Sequence, residues 1–228
     1  MEKVGNLNDR QSGIAKQIKV IELSEVPKYF AGFAVAYFAD KCICTAVVVD
    51  AQTMEIKEKT YTVTKPPINY IPGLIAFREG PVICQTYYDL EYEPDVLIVS
   101  GDGILHPEKA GLANFVGTEL SKPVIGVGTK LLSGEEQEDR IFFNGELTGK
   151  RVLTKEHAKP LYVSPGNLIT VEEAAQIVKQ CVCLPHKLPE PLHLAHRMAS
   201  KLVEKYKLEK REKQEEQIRT ERQIDVSC

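Results

Sequence analysis

The sequence has no apolar run approaching the ~20 residues that cross a bilayer, and its first 20 residues are polar and mixed in charge. Neither a membrane span nor a signal peptide is expected, and a cytoplasmic protein follows. It has no large excess of either charge: the formal net charge is −3 and the pI about 6.0. The strongly basic balance that points to nucleic acid is therefore missing, although a local basic groove fits within a neutral total. It has no CxxC pair. The six cysteines sit at Cys42, Cys44, Cys84, Cys181, Cys183 and Cys228, and their two close pairs have one residue between them. That is not the spacing of a zinc site, and they read as buried thiols in a reducing compartment. Internal repeats and Gly/Ser linkers are also missing. With 43% hydrophobic and 27% charged residues over 228 positions, the chain reads as one soluble α/β domain with a sizeable core.

What is present has a clear order. Ile and Leu positions around Gly13 to Glu25 predict an amphipathic helix, ended by Pro27. Two apolar, β-branched or aromatic runs, 30–38 and 42–49, flank a tight turn at Ala39-Asp40-Lys41 and predict a hairpin. Residues 54–63 alternate and predict a third strand with one wet face. A helix is expected from Leu74 to Leu90. Residues 95–100, DVLIVS, are continuously apolar up to the serine, as in a central strand buried on both faces. A helix over 108–120 and a short buried strand over 123–128 follow. The acidic stretch 133–139 reads as a loop, and residues 140–163 as two or three edge strands. Ser164-Pro165-Gly166-Asn167 reads as a turn before a helix at Val171 to Cys181, which a Thr170/Glu173 capping box supports. Residues 185–191 break structure. The last segment, Leu192 to Gln223, is helical in pattern with interleaved charges. Its apolar positions thin out beyond Lys207, so residues 1–207 are expected to form the domain and 208–228 a solvated, fraying tail.

The stretch from Tyr61 to Pro81 carries the most chemical information. Pro72 fixes its own φ and biases Ile71 toward an extended conformation, and Gly73 permits a sharp or left-handed turn. Tyr70 thus sits on a rigid turn, with Glu79 one helical step beyond. This arrangement reads either as the edge of a site or as a strand-to-helix connection whose tyrosine packs on the surface. The loop after the central strand, Gly101-Asp102-Gly103, lies where α/β proteins place their chemistry.

Several segments together resemble endonuclease V, a family that cuts nucleic acid one phosphodiester beyond a deaminated purine. They are AGFAVAYF at 31–38, NYIPGLIAFREGP at 69–81, DVLIVSGDGILHPEKAGLA at 95–113, KPVIGVGTKLL at 122–132, SPGN at 164–167 and LPEPLHLAH at 188–196, and their order fits the family across about residues 25–205. The pair YIPGxxAFRE and GxGxxHPxxxG is specific. The resemblance implies a ribonuclease-H-like mixed sheet flanked by helices, and hydrolysis assisted by Mg2+ or Mn2+ held by carboxylate oxygens.

Of the three acids that the family places at the metal centre, one is matched by Glu79. The first-strand Asp falls at Ala34 and the Asp ending the central strand at Ser100, so neither supplies an anionic ligand. The family's lysine falls at Thr129, and Lys130 on a strand would face the opposite side. Asp102 is the nearby candidate for a replacement ligand, and it could equally cap a turn beside Gly103. Asp40 and Asp50 fall in predicted turns.

The recognition parts are better kept. By resemblance, Tyr70, Ile71, Pro72 and Gly73 form a strand-separating wedge, with Tyr70 stacking on a base, a contact of ~1–3 kcal/mol. Gly101, Gly103, His106, Gly111 and Gly126 match loops around a flipped base, and Asn167 matches a His-or-Asn position. For the glycines tight packing is an equal alternative, and for His106 a structural hydrogen bond to its own loop. The expected function is binding of DNA or RNA, inosine-containing strands included, by a monomer whose metal-dependent cleavage is lost or weakened. An active nuclease using Glu79 and Asp102 is one alternative. A scaffold acting through the charged C-terminal helix is another.

Overall fold

The computed structural model describes the backbone of residues 4–225 and the side chains of residues 5–217. Cys228 and the end of the expected tail lie outside the described residues. A nine-stranded mixed sheet runs in the order β3-β2-β1-β4-β5-β9-β8-β7-β6. β1 (Tyr29–Phe38), β2 (Lys41–Asp50) and β3 (Ile56–Thr64) form the antiparallel meander that the alternating runs predict. β4 (Val96–Val99) lies parallel to β1 on one side and to β5 (Val124–Gly128) on the other. β6 (Glu135–Gln137), β7 (Arg140–Phe143), β8 (Glu146–Val152) and β9 (Leu161–Asn167) complete the sheet antiparallel.

Alternation along the strands divides the core into two layers. Ala31, Phe33, Leu97 and Val99 face α1 (Val4–Ala15), α2 (Ile75–Tyr88) and α3 (Leu112–Leu120). Phe30, Ala34, Val96 and Ile98 face α4 (Val171–Gln180) and α5 (Glu190–Asp225). α5 comes so close to β1 that a Cβ on Gly32 would stand 2.2 Å from the carbonyl carbon of Pro191. Cys42, Cys44 and Cys181 are buried free thiols as expected, whereas Cys84 and Cys183, also free, are only half-buried. No helix among the described residues is long and apolar enough to cross a membrane.

Three expectations are corrected. The N-terminal helix spans Val4–Ala15, not 13–25. Leu7, Gln11 and Ile14 form its buried face. The residues after it spend their backbone groups on distant partners instead of a helix: Lys19 N–H donates to Asn167 Oδ1 (3.0 Å) and Leu23 N–H to Glu173 Oε1 (2.9 Å). The acidic stretch 133–139 is not a free loop, because Glu135–Gln137 pair with β7, and Glu136 binds Arg151 across the hairpin (3.3 Å). The Ser-Pro-Gly-Asn segment is the end of β9. A register shift between Val124 and Ile125 accommodates Pro165 within a paired strand, as a bulge allows.

The Thr170/Glu173 capping box forms as predicted, with Glu173 N–H donating to Thr170 Oγ1 (3.2 Å) and Thr170 N–H to Glu173 Oε2 (3.1 Å). Asp40 and Asp50 serve turns and their neighbours. Asp50 Oδ1 accepts from the Gln52 and Thr53 N–H groups at 3.0 Å, and Asp40 pairs with Lys65 at 3.3 Å. α5 continues through residue 207 to Asp225 without interruption.

Candidate nucleic-acid interface and metal centre

The turn before α2 follows directly from its residues. Leu74 N–H donates to Ile71 C=O (3.1 Å), and Gly73 takes φ +79°, which closes a tight turn with Pro72 and Gly73 at its centre. Tyr70 is 66% exposed at its mouth, so its ring is available to a ligand. The Gly73 carbonyl is held from the side of α1. Gln11 on α1, itself buried, donates Nε2–H to it (3.0 Å) and to Ala110 C=O (3.3 Å). The His106 ring faces the same carbonyl. The same imidazole accepts the Glu108 N–H at Nδ1 (3.2 Å), which leaves Nε2 as the donor. Burial lowers the His106 pKa, favouring this neutral form. His106 therefore makes the structural bond foreseen for it, and it reaches the wedge turn as well as its own loop. Sequence reasoning missed Gln11. Its signal is a polar residue on the apolar stripe of α1, between Leu7 and Ile14.

The glycine-rich loop is a backbone-to-backbone stack. A Cβ on Gly103 would stand 2.0 Å from Pro165 O, one on Gly111 2.1 Å from Asp102 O, and one on Gly126 2.6 Å from Gly103 N. These glycines are needed for close packing, which sets the loop across β5 near Tyr70's turn. Asn167 does not join them. It pairs with Val124 at the start of β5, whereas the loop leaves from the other end of the parallel strands. There its Nδ2–H donates to Gly117 O (2.9 Å) and its Oδ1 takes the Lys19 N–H.

The acids sit apart. Glu79 hangs from α2, and its Oε1 accepts from the Tyr37 hydroxyl at 2.9 Å. Tyr37 in turn accepts from Arg78 Nε (3.0 Å) and lies under the Arg78 guanidinium, 4.6 Å from ring centroid to Cζ. Arg78 also donates to Ile68 C=O at 2.6 Å. Burial raises the Glu79 pKa, partly offset by the Tyr37 bond and then by Arg78. Burial raises Tyr37 as well, with the negative Glu79 adding to it. Asp102 leans the other way: its Oδ1 lies 3.0 Å from the position of a Cβ on Gly128, at the end of β5. Burial alone lifts it to about 6. β4 separates the strand that Glu79 touches from the strand that Asp102 touches.

Ala34 faces α5, and the Thr45 hydroxyl beside it donates to Ala195 C=O (2.8 Å). Ser100, Thr129 and Lys130 are exposed at the ends of β4 and β5. Among the described residues no three His, Cys, Asp or Glu side chains are grouped to hold a metal ion. A hard divalent cation prefers several oxygen anions in one cage. An alanine methyl, a serine and two carboxylates turned toward opposite neighbours of β4 do not fit that requirement.

Comparisons with known proteins agree with this architecture. The Endonuclease V family model matches residues 12–197. The endonuclease V of Geotalea uraniireducens is 33% identical over 207 residues, 87% of this chain and 88% of that protein. The crystal structure of endonuclease V from Bacillus subtilis superposes with a TM-score of 0.83 at 28% identity, covering 92% of this chain and 95% of that one. The Ciona intestinalis endonuclease V variant D234N, solved in complex with a 23mer DNA containing an inosine followed by a ribo-adenosine, gives a TM-score of 0.80 at 26% identity, covering 89% and 98%. The sheet is thus ribonuclease-H-like, and the chain belongs to the endonuclease V family.

Proposed function

We propose that this chain binds nucleic acid at deaminated purines, inosine above all, and no longer cuts it by a metal-dependent route. The observation that carries the reading is the contrast within one site. The wedge turn is exposed at Tyr70 and fastened at Gly73 by Gln11, whereas of the three positions that match the family's metal-centre acids only Glu79 is acidic, with Ala34 and Ser100 at the other two. Glu79 is committed to Tyr37. The inosine-containing DNA in the Ciona complex supports the choice of ligand.

In this reading Tyr70, with Ile71, Pro72 and Gly73, opens the strand. Stacking on a base contributes ~1–3 kcal/mol, and extrusion is cheapest at a mispaired or damaged base. Gly101, Gly103, Gly111 and Gly126 bring the loop backbone close enough to line the flipped base's pocket. His106 acts by holding the turn, and Asn167 by holding β9 to α3. The protein works as a monomer.

The test measures binding of labelled inosine-containing DNA and RNA against matched adenosine strands, and cleavage of the same strands with Mg2+ and Mn2+. Preferential binding without cleavage is expected, with Tyr70→Ala weakening it at least fivefold. Equal, weak binding to all strands would remove the lesion reading. Cleavage that disappears in Glu79→Gln would establish instead a working centre built on Glu79.

A further inference from the structure

A groove of about 520 Å3 runs between β3 and α5, on the face away from the wedge turn's helix layer. Its floor is aliphatic. Leu194, Met198 and Leu202 recur every four residues along α5, and Ile56, 42% exposed, faces them from β3. Its rims are cationic. Arg197, Lys201 and Lys205 follow the outer edge of the same helix, and Lys59 stands on the β3 side. No acidic residue lines it. Among the described residues Lys59, Arg197 and Lys201 have no ion-pair partner, and Lys205 reaches Glu209 only at 3.9 Å. The family's metal centre and wedge use none of these side chains.

The pattern specifies a ligand that is apolar on one side and anionic on both flanks. The floor runs eight helical steps from Leu194 to Leu202, or about 12 Å at about 1.5 Å per step, so it receives two or three turns of an incoming helix with anchors at i, i+4 and i+7 or i+8. Met198 adapts to differing anchors. A nucleic-acid strand matches less well, because the groove offers no aromatic ring for base stacking and would press phosphates against an aliphatic floor. A second copy of this chain matches poorly too. The exposed stretch of α5 from Glu209 to Glu216 carries four acids and three bases, and the acidic stretch Glu135–Asp139 has no apolar anchor.

We propose that this groove docks an acidic amphipathic helix of a partner protein, independently of the nucleic-acid site. Both surfaces are then free to be occupied at once, and the groove would bring a second protein to wherever the wedge is bound.

The test uses the full chain and a labelled 16-residue peptide with Leu at i, i+4, i+7 and i+11 and Glu on its flanks. A scrambled peptide of the same composition and a 16-nucleotide poly(dT) strand are the comparisons. The amphipathic peptide should bind at least tenfold tighter than the scrambled one. Arg197→Glu with Lys201→Glu, both on exposed positions, should lower that affinity at least tenfold. Met198→Asp should do the same at constant charge on the rims, and inosine-strand binding should change less than twofold in both variants. Equal binding of scrambled and amphipathic peptides would overturn the proposal. So would loss of poly(dT) or inosine-strand affinity in the rim variant with peptide affinity unchanged, since the groove would then be a nucleic-acid track.

Discussion

Tyr37 ties the matched acid Glu79 into the fold. Its hydroxyl donates to Glu79 and accepts from Arg78, so the carboxylate that the family uses at a metal centre is here one end of a hydrogen-bonded chain across β1 and α2. Tyr37→Phe removes both bonds and leaves Glu79 partly buried without its donor. We expect a loss of about 1 kcal/mol at pH 7, the usual scale for one net hydrogen bond, measured by urea unfolding. The loss should shrink at acid pH, where a protonated Glu79 needs the donor less. Asp102 makes a different prediction. Its folded pKa, about 6, lies above the unfolded value near 3.8, so the native state binds this proton more tightly. The resulting stability is fully present below about pH 4 and is lost as pH rises through 6. Asp102→Asn should flatten that decline, by about 1–2 kcal/mol once solvent around the partly exposed carboxylate is allowed for. Unfolding curves at pH 4.5 and 7.5 for the two proteins provide the measurement. Cys42, pushed up to about 11 by burial and by the nearby Glu79 charge, stays a thiol throughout this range.

At the scale of elements, periodicity was most informative where burial alone decides the structure. β1, β2 and β4 carry continuous apolar runs and were readable to within a residue or two, as was the Thr170 cap of α4. It failed where distant partners take over the backbone. Residues 16–25 have helical spacing, yet the Lys19 and Leu23 N–H groups go to Asn167 and Glu173. Pro165 reads as a turn residue because the pairing of β9 with the distant β5, which leaves Gly166 as the unpaired bulge residue, is invisible in its own segment. The same limit hid Gln11, whose role depends on α1 lying against the wedge turn. It leads to a test. Gln11→Ala removes the donor that holds the Gly73 carbonyl, and His106→Ala removes the ring that faces it. Either change should lower inosine-strand affinity about three- to tenfold by loosening Tyr70, and the double variant should lose less than the product, because both groups act on one carbonyl. Fluorescence anisotropy at fixed salt would measure it. A Tyr70→Ala background should abolish the effect.

Across the whole molecule, the positions that match the family's centre lie on β1, α2 and the ends of β4 and β5, with Ala34 facing α5 and Glu79 carried by α2 on the other face of the sheet. The sequence could show which residue types stand at those positions. It could not show that Glu79 turns toward Tyr37 and Asp102 toward Gly128, since side-chain direction at a strand end depends on neighbours far along the chain. This geometry makes restoration a sharp test. Ala34→Asp with Ser100→Asp and Thr129→Lys returns the family's residue types to an intact sheet. Ala34 is 1% exposed and lies against α5, so a carboxylate there is desolvated and, without a cation, costs several kcal/mol. The triple variant should therefore melt below the parent by several degrees. Mn2+ or Mg2+ should recover part of that loss by binding the folded form alone, whereas the parent's melting temperature stays unchanged by either ion. A variant indifferent to metal would mean that the Tyr37 bond holds Glu79 away even when its partners return. Adding Tyr37→Phe should then release it, and metal-dependent stabilisation should appear only in the quadruple variant.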